Sequence, residues 1–222
     1  MNWMEIAEMT ASVPLPEGYR YDVLRRSEIP ALIGFIDKWF PDISVGSASC
    51  YVREDFYNDK VSLAGEPERD TLVIVLKRDQ ELVGLFSCER DMDALALYAR
   101  LAVIAPKHRG GHLSQSTIVL VEVIGRRMGM GLVYGMATLK IPYIQMAFER
   151  LGWLLIGITP GYDREMVAPG VVKRVYEAVY AKVLVGDSGL LHPDSRNMTD
   201  RTKAFFRLLF PRAPLGRGVA AS

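Results

Sequence analysis

Only two cysteines, Cys50 and Cys88, and three histidines occur among the 222 residues. Neither cysteine stands at metal-ligand spacing from another, so no metal site is expected and both read as reduced thiols. An excess of charge of one sign is also missing. Lys and Arg number 27 against 26 Asp and Glu, a net charge of +1. No global field draws in nucleic acid or an anionic membrane, and no long basic run makes up for it, so nucleic acid is not an expected partner. Long apolar runs are absent too. The run at residues 94–104 is broken by Arg100, and the next, at 115–128, by Glu122. Neither reaches the ~20 residues that a membrane helix needs. The start, Met1-Asn2-Trp3-Met4-Glu5, has no basic stretch leading into an apolar run. No signal peptide is expected, and a cytoplasmic location follows.

What is there suits one globular domain. Half of the residues are hydrophobic and 24% are charged, enough apolar surface for a full core. Residues 1–18 read as a polar lead-in ending in a Pro/Gly turn. A short strand is expected at 19–24. Ser27 caps a helix carrying Leu32, Ile33, Ile36, Trp39 and Phe40, and a second helix follows at 47–60. Thr71-Leu72-Val73-Ile74-Val75-Leu76 has the composition of a buried strand, which pairs through the Asp79-Gln80 turn with 82–88. Asp91-Met92-Asp93 turns into the strand at 94–104. A helix at 115–128, a strand at 132–137, a helix from Pro142 to Leu151 and a strand at 153–158 complete the core pattern. Residues 171–185 read as a helix, or as a helix running into a strand. A short helix is expected at 203–209. Residues 186–222 form an extension with a mobile tail. The fold class is mixed α/β (α+β), and the main domain spans residues 19–185.

The most informative segment is Lys107-His108-Arg109-Gly110-Gly111-His112-Leu113-Ser114. It joins the strand at 94–104 to the following helix. Glycines let backbone N–H groups approach an anion, a helix N-terminus adds its positive dipole end, and Lys107 and Arg109 add charge. The expected ligand is a phosphorylated cofactor. The same residues also make an ordinary charged turn, and Lys107 has the alternative of pairing with a surface acid.

This order of elements, with a basic glycine turn after the fourth strand, resembles the GNAT superfamily of acyl-CoA-dependent N-acyltransferases. Val103, Pro106, Arg109 and Gly110 fall in matching places, and Phe148-Glu149-Arg150-Leu151-Gly152-Trp153 occupies the place of the family's later Tyr-x-x-x-Gly-Phe motif. The likeness covers roughly residues 19 to 160. It implies a central, mostly antiparallel mixed sheet flanked by helices, and acetyl-CoA or another acyl-CoA as cofactor. Three departures stand out. His112 replaces the last small residue of the turn. The spacing from Val103 to Pro106 is one residue longer than usual in the family, which a β-bulge would absorb. Phe148 stands where relatives often carry the tyrosine that protonates the CoA thiolate.

The resemblance also assigns roles. Leu101, Ala102 and Val103 would bind the pantetheine arm and polarise the acyl carbonyl. Lys107, His108, Arg109, Gly110, Gly111, His112, Leu113 and Ser114 would hold the pyrophosphate, with both histidines as loop residues beside it. The acceptor is a small-molecule or peptide amine, and its attack needs a base. Glu89 is the nearest carboxylate to the strand, though it equally reads as the partner of Arg90 or Arg100. Tyr98 would orient a water, or lie in the core. Tyr143 and Tyr134 are the candidate thiolate acids, and the thiolate also leaves without one. Arg53 and Arg100 would bind an acidic acceptor. Trp39, Phe40, Phe56 and Tyr57 read as core, and Cys88 as a small buried residue. The extension covers the acceptor cleft or forms a homodimer contact. Two rival readings are a long-chain N-acyl amino acid synthase and a catalytically silent CoA-binding module.

Overall fold

The computed structural model describes residues 2–109, 113–211 and 213. In chain order the elements are α1 (Ile6–Ser12), β1 (Tyr19–Val23), α2 (Ile29–Trp39), α3 (Glu54–Lys60), β2 (Val61–Ser62), β3 (Thr71–Arg78), β4 (Glu81–Asp91), β5 (Ala96–Ile104), α4 (Leu113–Arg127), β6 (Leu132–Thr138), α5 (Tyr143–Arg150), β7 (Leu154–Ala168), β8 (Val171–Val183) and α6 (Asp200–Leu209). Short 3₁₀ turns at Pro41–Val45, Ser47–Val52 and Pro106–His108 link some of them.

One sheet runs through the molecule in the order β1-β3-β4-β5-β6-β8-β7, with β2 paired to β3. Helices cover both of its faces, so β3 is apolar from Leu72 to Leu76 and alternates between two cores. Leu72, Ile74 and Leu76 pack beneath α1, α4 and α5, with Met9, Ile118, Leu120, Ile124 and Phe148. Val73 and Val75 point the other way, onto Leu32, Phe35 and Ile36 of α2 and Phe56 and Tyr57 of α3. The helix faces follow the 3.6-residue period. In α4 the buried positions are Leu113, Thr117, Ile118, Leu120, Val121, Ile124 and Gly125. Gly152 adopts φ +74° just past α5, the left-handed position that ends a helix at low steric cost.

The important irregularity lies in β5. Ser87 of β4 pairs with Leu101, but the next residue, Cys88, pairs with Ala99. Arg100 is the extra residue of a β-bulge, which bends a strand and shifts its side-chain alternation by one. Leu97 and Ala99 pack on the α4 side, whereas Leu101 and Val103 pack on the α2 side. The pairing stays regular through Val103 and Ile104, so the bulge expected between Val103 and Pro106 is not there, and the bulge of β5 lies at Arg100 instead. Beyond it, β5 and β6 separate. Their parallel pairing covers only Ala96–Ala99 with Leu132–Gly135. β6 instead stays with β8 to its last residue, where Thr138 faces Glu177.

Three expectations need correction. Residues 171–185 contain no helix. They form β8, the return strand of a long hairpin whose turn holds Gly170 at φ +73°. Its partner β7 runs to Ala168, ten residues beyond the expected strand. The segment 47–60 is a 3₁₀ turn followed by the shorter α3. The lead-in is ordered in part: α1 buries Met9 completely, and Trp3, Met4 and Val13 join the same core.

Deleting a fully buried methionine leaves a cavity as well as a transfer cost. Met9→Ala should lower stability by about 2–5 kcal/mol in denaturant unfolding, whereas a free lead-in would show no change.

Candidate active site

The separation of β5 and β6 opens a cavity of about 270 Å³. Tyr98 to Val103 of β5 line one side, and Met136 to Thr138 of β6 the other. Thr117, Ile118 and Val121 of α4 and Phe148 of α5 close its apolar end. Phe40, Ile43, Ser47 and Ala48 reach it from the 3₁₀ turns after α2, and Tyr162, Asp163, Glu165 and Glu177 from the β7–β8 hairpin.

The sequence-derived residues divide into three groups. Leu101, Ala102 and Val103 line the cavity, and Tyr98 joins them. The Tyr98 ring stacks on Tyr134 at 4.9 Å. Burial, reinforced by the Tyr162 hydroxyl, pushes the Tyr98 phenol pKa upward, so this phenol keeps its proton at neutral pH. Arg100 also lines the cavity, but its guanidinium is bound to Glu89 and lies 5.9 Å from the ring centres of Phe56 and Tyr98.

Glu89 and Tyr143 are not brought into the cavity. Glu89 lines a separate polar groove with Cys50, Arg53 and Asp59, and its carboxylate is held by Arg100. Tyr143 is 72% exposed, while the neighbouring Phe148 is buried against Trp153 and Tyr180 at ring distances of 4.6 and 5.1 Å. No hydroxyl replaces the absent tyrosine at that position.

The loop residues form the third group. Gly110, Gly111 and His112 lie outside the described residues. Lys107 pairs with Glu81 at 2.5 Å. His108 is buried, and its Nδ1 lies 2.9 Å from the Tyr19 hydroxyl. Burial first, then the charge of Lys107, lowers its pKa, which keeps the imidazole neutral. Arg109 donates through Nε to the Ile104 carbonyl at 3.0 Å, and its guanidinium lies 5.4 Å from the centre of the Phe40 ring. It thus spans the end of β5 and one lip of the cavity. Leu113 is core, and the Ser114 carbonyl accepts from Thr117 at 2.7 Å.

The acidic end of the cavity was not read from the sequence. Between Thr159 and Asp163 the strand β7 contains two more residues than the facing stretch of β8, and this bulge turns Tyr162 and Asp163 inward. Asp163 accepts from the Ser47 backbone at 2.6 Å and from the Ser47 hydroxyl at 2.8 Å. The contact needs a glycine at position 46, where any Cβ would overlap the Arg164 carbonyl and the Asp163 carboxylate. Lys140, just after β6, binds Glu165 and lies 4.0 Å from Asp42. Glu177 is 7% exposed. Burial, followed by the charges of Asp163 and Glu165, lifts its carboxyl to about 7. A lone carboxylate inside the apolar run Val175-Tyr176-Glu177-Ala178-Val179 was the available signal, but it means little until that run is known to be a strand.

A raised carboxyl weakens the fold as pH rises. The unfolded chain ionises Glu177 in the usual carboxylate range, whereas the folded chain resists until about 7. Below that window both states are protonated and no ionisation cost exists. Above it the folded state carries a buried charge. Glu177→Gln should therefore gain stability relative to the native chain between pH ~4 and pH ~8, by roughly 3 kcal/mol from a shift of this size. Unfolding curves at both pH values measure it, and a difference independent of pH would contradict the burial argument.

No protein-family model matches the sequence, and no curated protein does. Solved structures do match by fold. The dodecameric spermidine N-acetyltransferase from Vibrio cholerae is 14% identical, with a TM-score of 0.58 over 76% of this chain and 95% of that one. The ribosomal-protein-S5-alanine acetyltransferase from Vibrio fischeri is 8% identical, with a TM-score of 0.57 over 76% and 94%. The acetyltransferase from Salmonella typhimurium that modifies the N-terminal serine of ribosomal protein L7/L12 is 11% identical, with a TM-score of 0.56 over 78% and 99%. The chain has the fold of the GNAT acetyltransferases.

Proposed function

We propose that this chain, built on the GNAT fold, is an N-acyltransferase that moves an acyl group from acyl-CoA to a primary amine by direct attack in one ternary complex. The observation that carries this reading is the separation of β5 from β6 after Ala99 and Gly135, directly beside the start of α4. A strand edge released from its neighbour offers backbone N–H and C=O groups that need a partner. An extended amide-bearing arm such as pantetheine supplies one, by the logic of strand addition. The residues fit that group. The cavity is apolar where Ile118, Val121 and Phe148 face it and polar toward the hairpin.

Acyl-CoA supplies an activated thioester when bound. Backbone groups of Leu101, Ala102 and Val103 hold the arm and polarise the acyl carbonyl. Arg109 and the loop through Ser114, with the helix N-terminus behind it, take the phosphate end. Tyr98, the phenol of β5 that lines the cavity, is placed to give a proton to the departing sulfur, in the role that Phe148 cannot fill. A cavity of about 270 Å³ lies just below the usual range for drug-sized ligands. Acetyl, the smallest common acyl group, is the simplest donor to propose for it.

A ligand that binds only the folded state raises its stability by mass action. Saturating acetyl-CoA should raise the melting temperature by several degrees. Arg109→Glu should remove most of that shift, and a long-chain acyl-CoA should give no larger one. No shift with either thioester would overturn the reading.

A further inference from the structure

We propose that Glu177 is the base that takes the proton of the acceptor, and that the acceptor arrives as a protonated amine drawn by the unpaired charge of Asp163. This inference rests on the acyl-transfer reading and goes beyond it by naming the base and the charge of the substrate.

Two independent observations meet at this end of the cavity. The first is charge. Of the three carboxylates from the hairpin, Glu165 is neutralised by Lys140. Among the described residues, Asp163 is held only by the neutral donors of Ser47 and the backbone. Arg100, which also lines the cavity, is committed to Glu89. A net negative charge is left facing the cavity, and charges in a confined cleft attract the opposite sign strongly. The second observation is Glu177 itself. It is more than nine-tenths buried, lines the cavity, and makes no side-chain hydrogen bond or ion pair among the described residues. Leaving a buried carboxylate without a partner is costly. A ligand cation in the cavity removes that cost.

The position suits the chemistry. Glu177 sits opposite Thr138, at the end of β6 that has parted from β5. It therefore lies across the gap from the strand edge proposed to hold the thioester. A protonated amine gives one proton to the Glu177 carboxylate and becomes nucleophilic. Its lone pair attacks the thioester carbon, the C–N bond forms, the C–S bond breaks, and the electron pair leaves on sulfur. The second proton of the nitrogen passes to the thiolate, directly or through Tyr98. Glu177 then returns its proton to water. Protons and electrons balance, and no oxidant or metal is required.

A base with a pKa near the working pH is the most effective kind, and Glu177 titrates at about 7. The titratable groups that share the cavity with it are Asp163, Glu165 and Tyr162 from β7 and Tyr98 and Arg100 from β5, with Lys140 bound to Glu165 and Asp42 beside Lys140.

The test is thiol release from acetyl-CoA by the full chain, with n-butylamine and 1,6-diaminohexane as cationic probes and glutamate as an anionic one. The cations should turn over and glutamate should not. With the cations, kcat/KM should rise with pH through about 7. Glu177→Gln should lose roughly 10²- to 10⁴-fold in kcat together with that rise, yet keep the full acetyl-CoA melting shift. Asp163→Asn, which still accepts from Ser47, should raise KM for the cations more than it lowers kcat. Native-like turnover and pH dependence in Glu177→Gln would overturn the inference, as would equal use of glutamate or no turnover of either cation. A retained acetyl-CoA shift in any of those cases would leave the acyl-transfer reading standing. Loss of the shift in the native chain would remove both.

Discussion

Backbone pairing between β5 and β6 ends at Ala99 and Gly135, and the cavity and its chemistry depend on that break. Two local features produce it. The extra residue at Arg100 bends β5 and exchanges its faces, and β6 has a full partner in β8 on its other side. Each backbone polar group of a buried strand needs a partner. An edge opened in the middle of a sheet is therefore stable only if a ligand or water satisfies it. The break is also what lets side chains from α4, α5, the turns after α2 and the β7–β8 hairpin meet in one space.

The cavity is asymmetric, and the asymmetry follows from which elements reach it. Helices contribute Ile118, Val121 and Phe148, while the hairpin contributes Asp163, Glu165 and Glu177. The hairpin is held over the site by polar contacts, from Ser47 to Asp163 and from Lys140 to Glu165. These contacts use up some of its charge and leave the rest facing inward. In the proposed reaction the apolar end takes the acyl group and the acidic end takes the amine. The phenylalanine at position 148 fits this division. Its ring packs on Trp153 and Tyr180, so its helix serves as a wall, and the titratable groups that line the cavity come from β5 and the β7–β8 hairpin.

The order of elements from β1 to α5 was legible because each signal there is local: the apolar run of β3, the glycine at 152, the turn before Leu113. The bends that make the site were not. A bulge at Arg100 leaves no mark on alternation that a mixed run of Ala, Leu and Tyr would reveal. The C-terminal strands were misread because Val, Tyr, Ala and Lys in residues 171–185 match a helix period as well as a strand period. The Pro169-Gly170 turn was the better guide. Misreading that segment hid Glu177, and attention fell on Glu89, which Arg100 of the neighbouring strand holds in a separate groove. The glycine loop suggests a phosphate cradle by composition, but Gly110, Gly111 and His112 lie outside the described residues, and the flanking Arg109 reaches from the end of β5 toward Phe40.

The central claim is that acyl-CoA occupies the gap between β5 and β6. Backbone hydrogen exchange with and without acetyl-CoA addresses it directly. The account predicts that amides within Arg100 to Ile104 and at the start of α4 exchange more slowly when acetyl-CoA is present, while those of β1 and β3 are unchanged. Unaltered exchange in β5 under saturating acetyl-CoA, or protection confined to another surface, would contradict it.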